Sequence, residues 1–411
     1  MTKSPPRHIE QTAFPVVDNC LQIGGIPLPQ LARRVGSTPF YAYDRSVLTR
    51  RVADLRALLP DAIKLHYAIK ANPMPALVQH MAGLVDGFDL ASGQEMKVAL
   101  DTGMSPGEIS IAGPGKSAQE LSCAIAAGIV INIESESELQ HILRLAEKGQ
   151  EKPKVAIRVN PDFELKASGM KMSGGPKQFG IDAERVPAVL QEIGRLDMDF
   201  VGLHIFSGSQ NLRAEAITEA QNKTLELAIR LAESAPAPVR KLNIGGGFGI
   251  PYFPGEQELD TRSIADNLEA LLPRANQALD NPEIILELGR YLVGPAGIYV
   301  CSVRDRKVSR GQVFLVSDGG LHHHLAASGN FGQVIRKNYP VMIGNRVKSE
   351  DRETSSVVGP LCTPLDLLAD RMELPKADVG DLVVILQSGA YGLTASPTAF
   401  LSHPSPQEVL V

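Results

Sequence analysis

Lys70 ends the apolar run 63–69 in the stretch LHYAIKAN. An amine delivered at the edge of a buried sheet is suited to capturing an aldehyde as a Schiff base. A single lysine is more often a solvated surface charge, so the weight falls on four further segments. In KLNIGGGFGIPY (241–252) a short strand runs into Gly245-Gly246-Gly247-Phe248-Gly249. Bare backbone N–H groups there can approach an anion closely, which reads as a phosphate cradle. Ile250 stands where the dinucleotide pattern GxGxxG needs its last glycine, and no GK[ST] ending follows, so a nucleotide is disfavoured. A glycine-rich turn without a ligand is the ordinary alternative.

In IILELGRYLVGPAG (284–297) a strand ends at Glu287, with Gly289 and Arg290 following. A carboxylate beside a pyridine nitrogen keeps that nitrogen protonated, and a protonated ring is the stronger electron sink. Arg290 carries the planar donor fork that fits a phosphate or carboxylate, although a salt bridge between Glu287 and Arg290 explains the pair equally well. VGLHIFSGSQNL (201–212) opens from a strand over 200–206 into Ser207, Gly208, Ser209 and Gln210, a hydroxyl-and-amide set suited to phosphate. His204 or Phe206 can lie flat on a cofactor ring or serve as a core side chain. In SGAYGLTAS (388–396), Tyr391 offers a phenol donor or is simply structural. Lysine, phosphate cradle and ring carboxylate together point to pyridoxal 5'-phosphate. IAGPGKS (111–117) has Ser110 at the first glycine position of a nucleotide loop and reads as a strand-to-helix turn.

These residues need a scaffold that presents many strand ends together. Helical patterns over 45–59, 92–102, 134–147 and 214–233 alternate with apolar strands near 65–69, 109–112, 129–133, 155–159, 200–206, 241–244 and 284–287. Strand–helix repetition means a parallel sheet with crossover helices, and a count near eight with ligands at strand C-terminal ends predicts a (β/α)8 barrel over about 38–292. Beyond it, VCSVRDRKV (300–308), VFLVSD (313–318) and DLVVILQ (381–387) are β-rich without long helices. A β-rich domain of 293–411, joined by 1–37, is expected. The small residues of KASGMKMSGGPKQFGID (166–182) suggest a loop beside the site, either covering substrate or a plain connector.

The 411 residues are 44% hydrophobic with a formal net charge of −5, and they contain no basic run of the kind nucleic acid requires. No apolar stretch reaches membrane-span length, and MTKSPPRHIE lacks a signal-peptide core, so a cytoplasmic location is expected. Cys20, Cys123, Cys301 and Cys362 have no paired spacing, which argues for reduced thiols over disulfides or zinc. His322 to His324 are adjacent, and adjacent side chains rarely converge on one ion, so no metal is expected.

In order and wording the segments YAIKAN, GFDLASGQE (87–95), AIRVNP (156–161), FGID (179–182), GLHIFSGSQ, GGGFG, ELGR, VVGPLC (357–362), GAYG and EVLV (408–411) resemble the fold-type III pyridoxal-phosphate decarboxylases. That group includes diaminopimelate, ornithine and arginine decarboxylases on the alanine-racemase-like fold, and the resemblance covers nearly the whole chain. It implies that Lys70 forms the Schiff base, Asp89 and Arg158 line the cofactor site, and Glu287 holds the ring nitrogen. Ser209, Gly246, Gly247, Gly289 and Tyr391 would surround the phosphate, with Arg290 near it or near the substrate. Cys362 would enter from the partner subunit of a homodimer with shared active sites, for protonation or substrate contact.

Several positions depart from the family pattern. The usual HxHIGSQ reads HIFSGSQ, which places Phe206 where a ring-stacking histidine is expected, and EPGR reads ELGR, which keeps both charged residues. CTPLD (362–366) replaces CESGD, so Thr363 stands where diaminopimelate enzymes use an acid, and Ala326 or Leu325 stands near their substrate arginine. A site without those clamps disfavours a small dipolar diamino acid. LHHHLAASGNFGQVIRKNYP (321–340) is similar to the branch containing the carrier-protein glutamyl decarboxylase of butirosin synthesis and the exosortase-associated decarboxylases. The resemblance therefore implies an amino-acid substrate presented on an acyl carrier protein. Diaminopimelate decarboxylation is the first alternative. An amino-acid racemase is disfavoured because it would carry arginine at the ring nitrogen, and a non-enzymatic cofactor-binding protein because it would lack the second domain.

Overall fold

The computed structural model describes residues 7–147, 149, 151–164, 170–171 and 174–411. They fall into two compact units, one of Arg51–Ile250 and Glu258–Tyr291, the other of the described residues in Met1–Arg50, Pro251–Gln257 and Leu292–Val411.

The first unit is a closed parallel barrel of eight strands: β1 Ile63–Ala68, β2 Gly87–Leu90, β3 Ile109–Ile111, β4 Val130–Ile133, β5 Lys154–Asn160, β6 Asp199–His204, β7 Lys241–Gly246 and β8 Glu283–Leu288. Neighbours pair in chain order, and β8 pairs with β1 in the register Glu287 opposite His66, which closes the ring. The expected (β/α)8 architecture is thus present. Strand β2, only four residues long and beginning with glycine, is the member that apolar patterning did not mark as a strand. Helices α1 Pro75–Ala82, α2 Gly93–Leu100, α3 Ala118–Ala127, α4 Glu136–Ala146, α5 Val186–Ile193, α6 Ala214–Ala232, α7 Thr261–Leu279 and the short α8 Arg290–Val293 follow the strands in turn.

Three successive crossovers start with the same local chemistry, Ser-x-x-Glu. Ser92, Ser117 and Ser135 each accept the backbone N–H of the glutamate three residues on, capping α2, α3 and α4. Each such cap is worth about 1 kcal/mol and ends the strand-to-helix turn at a defined residue. In the turn 111–117, buried Lys116 donates to the carbonyls of Gly113 and Asn132 and to Glu138 Oε1 at 2.9, 2.8 and 2.6 Å. The lysine of this glycine-containing segment therefore tacks the turn to β4 and α4. Much of the segment 166–182 lies outside the described residues. Within it, Met170–Lys171 pairs antiparallel with Gly208–Ser209.

The second unit is built on a mixed sheet in the order Val341–Ile343, Leu382–Ile385, Gly297–Ser309, Gln312–Ser317, Arg352–Val358 and Leu367–Pro375. Phe40–Tyr43 joins Gly297–Ser309, and the C-terminal Gln407–Leu410 pairs parallel to Phe40–Tyr43. The closing EVLV motif is therefore a sheet strand. Beneath it the histidines of 322–324 are buried. Ala327 N–H donates to His324 Nδ1 at 3.3 Å, so Nε2 bears the proton shared with Ser388 Oγ at 2.9 Å. His323 meets the Pro404 carbonyl at 3.0 Å. Among the described residues no group of three His, Cys, Asp or Glu side chains is arranged to hold a metal, and none of the helices is long and apolar enough to cross a membrane.

Burial pushes His322 and His324 down to about 3 and His323 down to about 4. The folded state thus keeps these rings neutral where the unfolded chain, titrating near the ordinary histidine value of 6.5, takes up protons. Stability should consequently fall as pH drops from 6.5 toward 4, seen as a declining urea midpoint. H324N should flatten that decline, and a wild-type midpoint constant between pH 7 and 5 contradicts the assignment.

Candidate active site

Side chains alternate along a strand, and in β1 the inward face carries His66 and Ala68. The chain then enters a tight turn, Ile69–Ala71, which lifts Lys70 to the mouth of the barrel. The Lys70 side chain is 42% exposed and its Nζ stands 3.4 Å from Glu287 Oε1. Glu287 is the residue after Leu286 near the end of β8 and is 5% exposed. Its other oxygen, Oε2, lies 3.2 Å from His204 Nε2 at the end of β6. Burial alone would raise the Glu287 carboxyl, but Lys70, His204 and Arg158 outweigh it and hold the group well below the usual carboxylate range. The site therefore contains a buried carboxylate, held in its ionised form by these neighbours, facing an accessible amine.

His204 is turned to Glu287, whereas the half-buried Phe206 presents its ring 5.4 Å from Lys70 Nζ. The aromatic at the mouth is thus the phenylalanine.

The glycine-rich turn lies against the loop after β6. Asn211 N–H donates to the Gly247 carbonyl at 2.9 Å and Gly249 N–H to the Asn211 carbonyl at 2.8 Å. Gly247 has φ +77°, and a Cβ on it would sit 2.6 Å from the Gly208 carbonyl oxygen. On Gly246 a Cβ would meet the Glu287 carbonyl oxygen at 2.3 Å. Neither position tolerates a side chain, so the backbone stays open at this point. Ser209 Oγ, beside it, is buried and has no hydrogen-bond partner among the described residues. An orphan hydroxyl next to stripped glycines is what an anionic oxygen would satisfy. Lysine, buried carboxylate and cradle together fit pyridoxal phosphate.

Asp89 and Arg158 both line the barrel but at different levels. Asp89 Oδ1 accepts from Ser110 Oγ at 2.6 Å. Arg158 pairs with Glu134 at 2.7 Å and lies 5.0 Å over the Phe179 ring. Burial raises the Glu134 carboxyl, and Arg158 more than offsets this, leaving it below its ordinary value. Gly289 packs where a Cβ would press on Ala71 at 2.8 Å, fixing the Lys70 turn against the end of β8. Arg290, half-buried, opens α8. Cys362 and Tyr391 belong to the other unit. Cys362 is exposed, and Tyr391 has φ +52° with its ring stacked on Phe331 at 6.5 Å. Thr363 Oγ1 accepts from Leu365 N–H in its own turn at 3.3 Å, and Ala326 is buried.

Sequence reasoning passed over Glu134, His66 and Asn243. The signal was available: Glu134 directly follows β4, much as Glu287 stands one residue before the end of β8, and His66, Asp89 and Asn243 occupy inward positions of their strands.

The chain matches the family model described as pyridoxal-dependent decarboxylase, pyridoxal binding domain, over residues 45–294. It is 40% identical to the L-glutamyl-[BtrI acyl-carrier protein] decarboxylase of Niallia circulans, covering 91% of this chain and 88% of that protein. It is 33% identical to the diaminopimelate decarboxylase of Aquifex aeolicus, covering 96% and 91%. The solved diaminopimelate decarboxylase of M. jannaschii with L-lysine superposes with a TM-score of 0.87 at 26% identity, over 98% of this chain and 93% of that one.

Because the Gly247 backbone is left-handed and crowded, G247A should weaken pyridoxal phosphate binding by about tenfold or more while the far-ultraviolet circular dichroism is retained. Equal affinity, read from cofactor fluorescence titration, would remove this turn from the site.

Proposed function

Since the chain belongs to the pyridoxal-dependent decarboxylase family and is thereby an enzyme using pyridoxal 5'-phosphate, we propose that it decarboxylates an amino acid carried as a thioester on an acyl carrier protein. The observation that carries this reading is the neutral pair at 363 and 326. Thr363 spends its hydroxyl on its own turn and Ala326 is buried, so neither offers a charge to the far end of a free diamino acid. A tethered substrate is selected through its carrier and does without such a clamp. The relative from Niallia circulans, named for an acyl-carrier-protein substrate, supports the same reading.

Within this proposal Lys70 Nζ is the amine for the cofactor aldehyde, and Gly246, Gly247 and Ser209 would hold the phosphate. Glu287 would hold the ring nitrogen, with Asp89 and Arg158 lining the pocket and Gly289 and Arg290 bounding it. When bound, pyridoxal phosphate supplies an electron-withdrawing ring that takes the electron pair left by departing carbon dioxide. The chain's own contribution is to keep Glu287 ionised. His204 stands against one of its oxygens and the Arg158 charge acts on it at longer range, so it neither turns away nor takes a proton at neutral pH. Phe206 covers one side of Lys70 Nζ and limits water there. Lys70 Nζ then holds a proton that can be returned to the substrate carbon. Cys362 Sγ, exposed on its own unit, is the second proton donor, reaching the site of a partner subunit in a homodimer to which Tyr391 also contributes.

Carbon dioxide release decides the substrate class. Purified protein with pyridoxal phosphate is compared on aminoacyl carrier proteins and on free meso-diaminopimelate, lysine, ornithine, arginine and glutamate. Release from the tethered substrate alone is expected; turnover of free diaminopimelate would make Thr363 and Ala326 irrelevant and the chain a diaminopimelate decarboxylase. E287Q should lower kcat by about 100-fold or more with the cofactor still bound, and an unchanged kcat would exclude Glu287 from catalysis.

A further inference from the structure

Below the mouth, buried polar side chains stand among the apolar ones that ordinarily fill such barrels, represented here by Val130, Ala156 and Val201. Asp89 Oδ1 takes the Ser110 hydroxyl at 2.6 Å, and Asn243 Nδ2 approaches it at 3.5 Å. The other end of the same amide, Asn243 Oδ1, accepts the Gly245 N–H at 2.8 Å. The carboxylate therefore sets the orientation of the amide. With Nδ2 drawn to Asp89, Oδ1 must face Gly245, and a flipped amide would set its NH2 against the Gly245 N–H and its oxygen against the Asp89 carboxylate. Gly245 heads the glycine-rich turn with φ +67°.

On the other side of Asp89 the accounting is incomplete. Asp89 Oδ2 and both ring nitrogens of His66 are buried without a hydrogen-bond partner among the described residues. His66 Nδ1 is 3.4 Å from Oδ2, and His66 Nε2 is 4.0 Å from Glu108 Oε2, which itself receives Lys241 Nζ at 2.9 Å. The ring packs against Gly87, where a Cβ would lie 2.5 Å from Nε2. These groups line one side of a void of about 30 Å³ shared with Ser110 and Asn132, and the apolar Val130, Ala156 and Val201 close it from the other strands. A water needs roughly 10–15 Å³ of such space and two to four polar partners, and an unsatisfied buried carboxylate oxygen is costly.

We propose that this void binds an ordered water joining His66 to Asp89, and that His66 is a positioning residue for the glycine-rich turn, acting through Asp89, Asn243 and Gly245. The proposal rests on the reading of that turn as the phosphate cradle. No bond is made or broken by His66. Its water completes the shell of Asp89, which holds the amide that holds the turn.

Two measurements test it. A crystal structure of the holoenzyme at about 1.5 Å or better should show density within hydrogen-bond reach of both a His66 nitrogen and Asp89 Oδ2; a dry void overturns the water. Dissociation constants for pyridoxal phosphate and for pyridoxal are then compared in wild type, H66F and H66Q. H66F should bind pyridoxal phosphate about tenfold more weakly with pyridoxal unaffected, and H66Q, which keeps a donor and an acceptor, should restore affinity to within about threefold. If H66F matches wild type, or if both ligands weaken together as the melting temperature drops, His66 is merely structural and the positioning role is overturned. If wild type itself prefers pyridoxal phosphate no more than pyridoxal, the cradle reading fails first and takes the positioning role with it, while the water is still judged by the density.

Discussion

A carboxylate that is 5% exposed and nevertheless ionised is the constraint on which the barrel depends. Removing a charge from water costs several kcal/mol, and only close, well-directed cations offset it. Glu287 meets Lys70 just beyond β1 and Arg158 in β5, with the His204 ring at the end of β6 against its second oxygen. That requirement explains the glycines around it. Gly246 lets β7 come against the Glu287 backbone, and Gly289 lets the Lys70 turn lie against the end of β8. The carboxylate and amine are brought to 3.4 Å by close backbone approach, which any larger residue at either position would prevent.

The same logic of paired charges organises the layer around the mouth. Arg158 serves two carboxylates, bonding Glu134 directly and stabilising Glu287 at longer range. Glu134 in turn receives the backbone N–H groups of Gly113 and Gly180, so one ion pair ties the turns after β3 and before α5 to the barrel wall. Serine caps fix where α2, α3 and α4 begin, and with it the length of the turns that precede them. Rigidity at the strand ends is what allows chemistry to be placed on loops.

In the second unit a comparable economy of polar groups appears without an ion. Asp366 accepts the N–H groups of Leu321 and Leu361 at 2.6 and 2.9 Å, tying the histidine segment to the segment bearing Cys362 and Thr363. Burial raises its carboxyl, and the two amides work against that rise. Where the diaminopimelate enzymes are expected to carry an acid at the position of Thr363, this chain has a residue that caps its own turn.

Lys70, the glycine run and Glu287 were legible in the chain because each is a local pattern: a strand ending in a functional residue, or glycines where a side chain cannot fit. The alternation of apolar runs with amphipathic helices likewise determined the barrel, since strand and helix periods differ and parallel strands require crossovers. What the order of residues left open was decided by contacts far apart in sequence. Strand β2 forms although it is only four residues long, because it is paired on both sides. His204 and Phe206, two residues apart, divide their roles because only the histidine meets Glu287, 83 positions onward, while the phenylalanine meets Lys70. His66, Asp89 and Asn243 become a network only when three strands close around one void. Local propensity governs which segments become strands, but the partner of a buried polar group depends on the closure of the barrel, and that is a property of the tertiary structure alone.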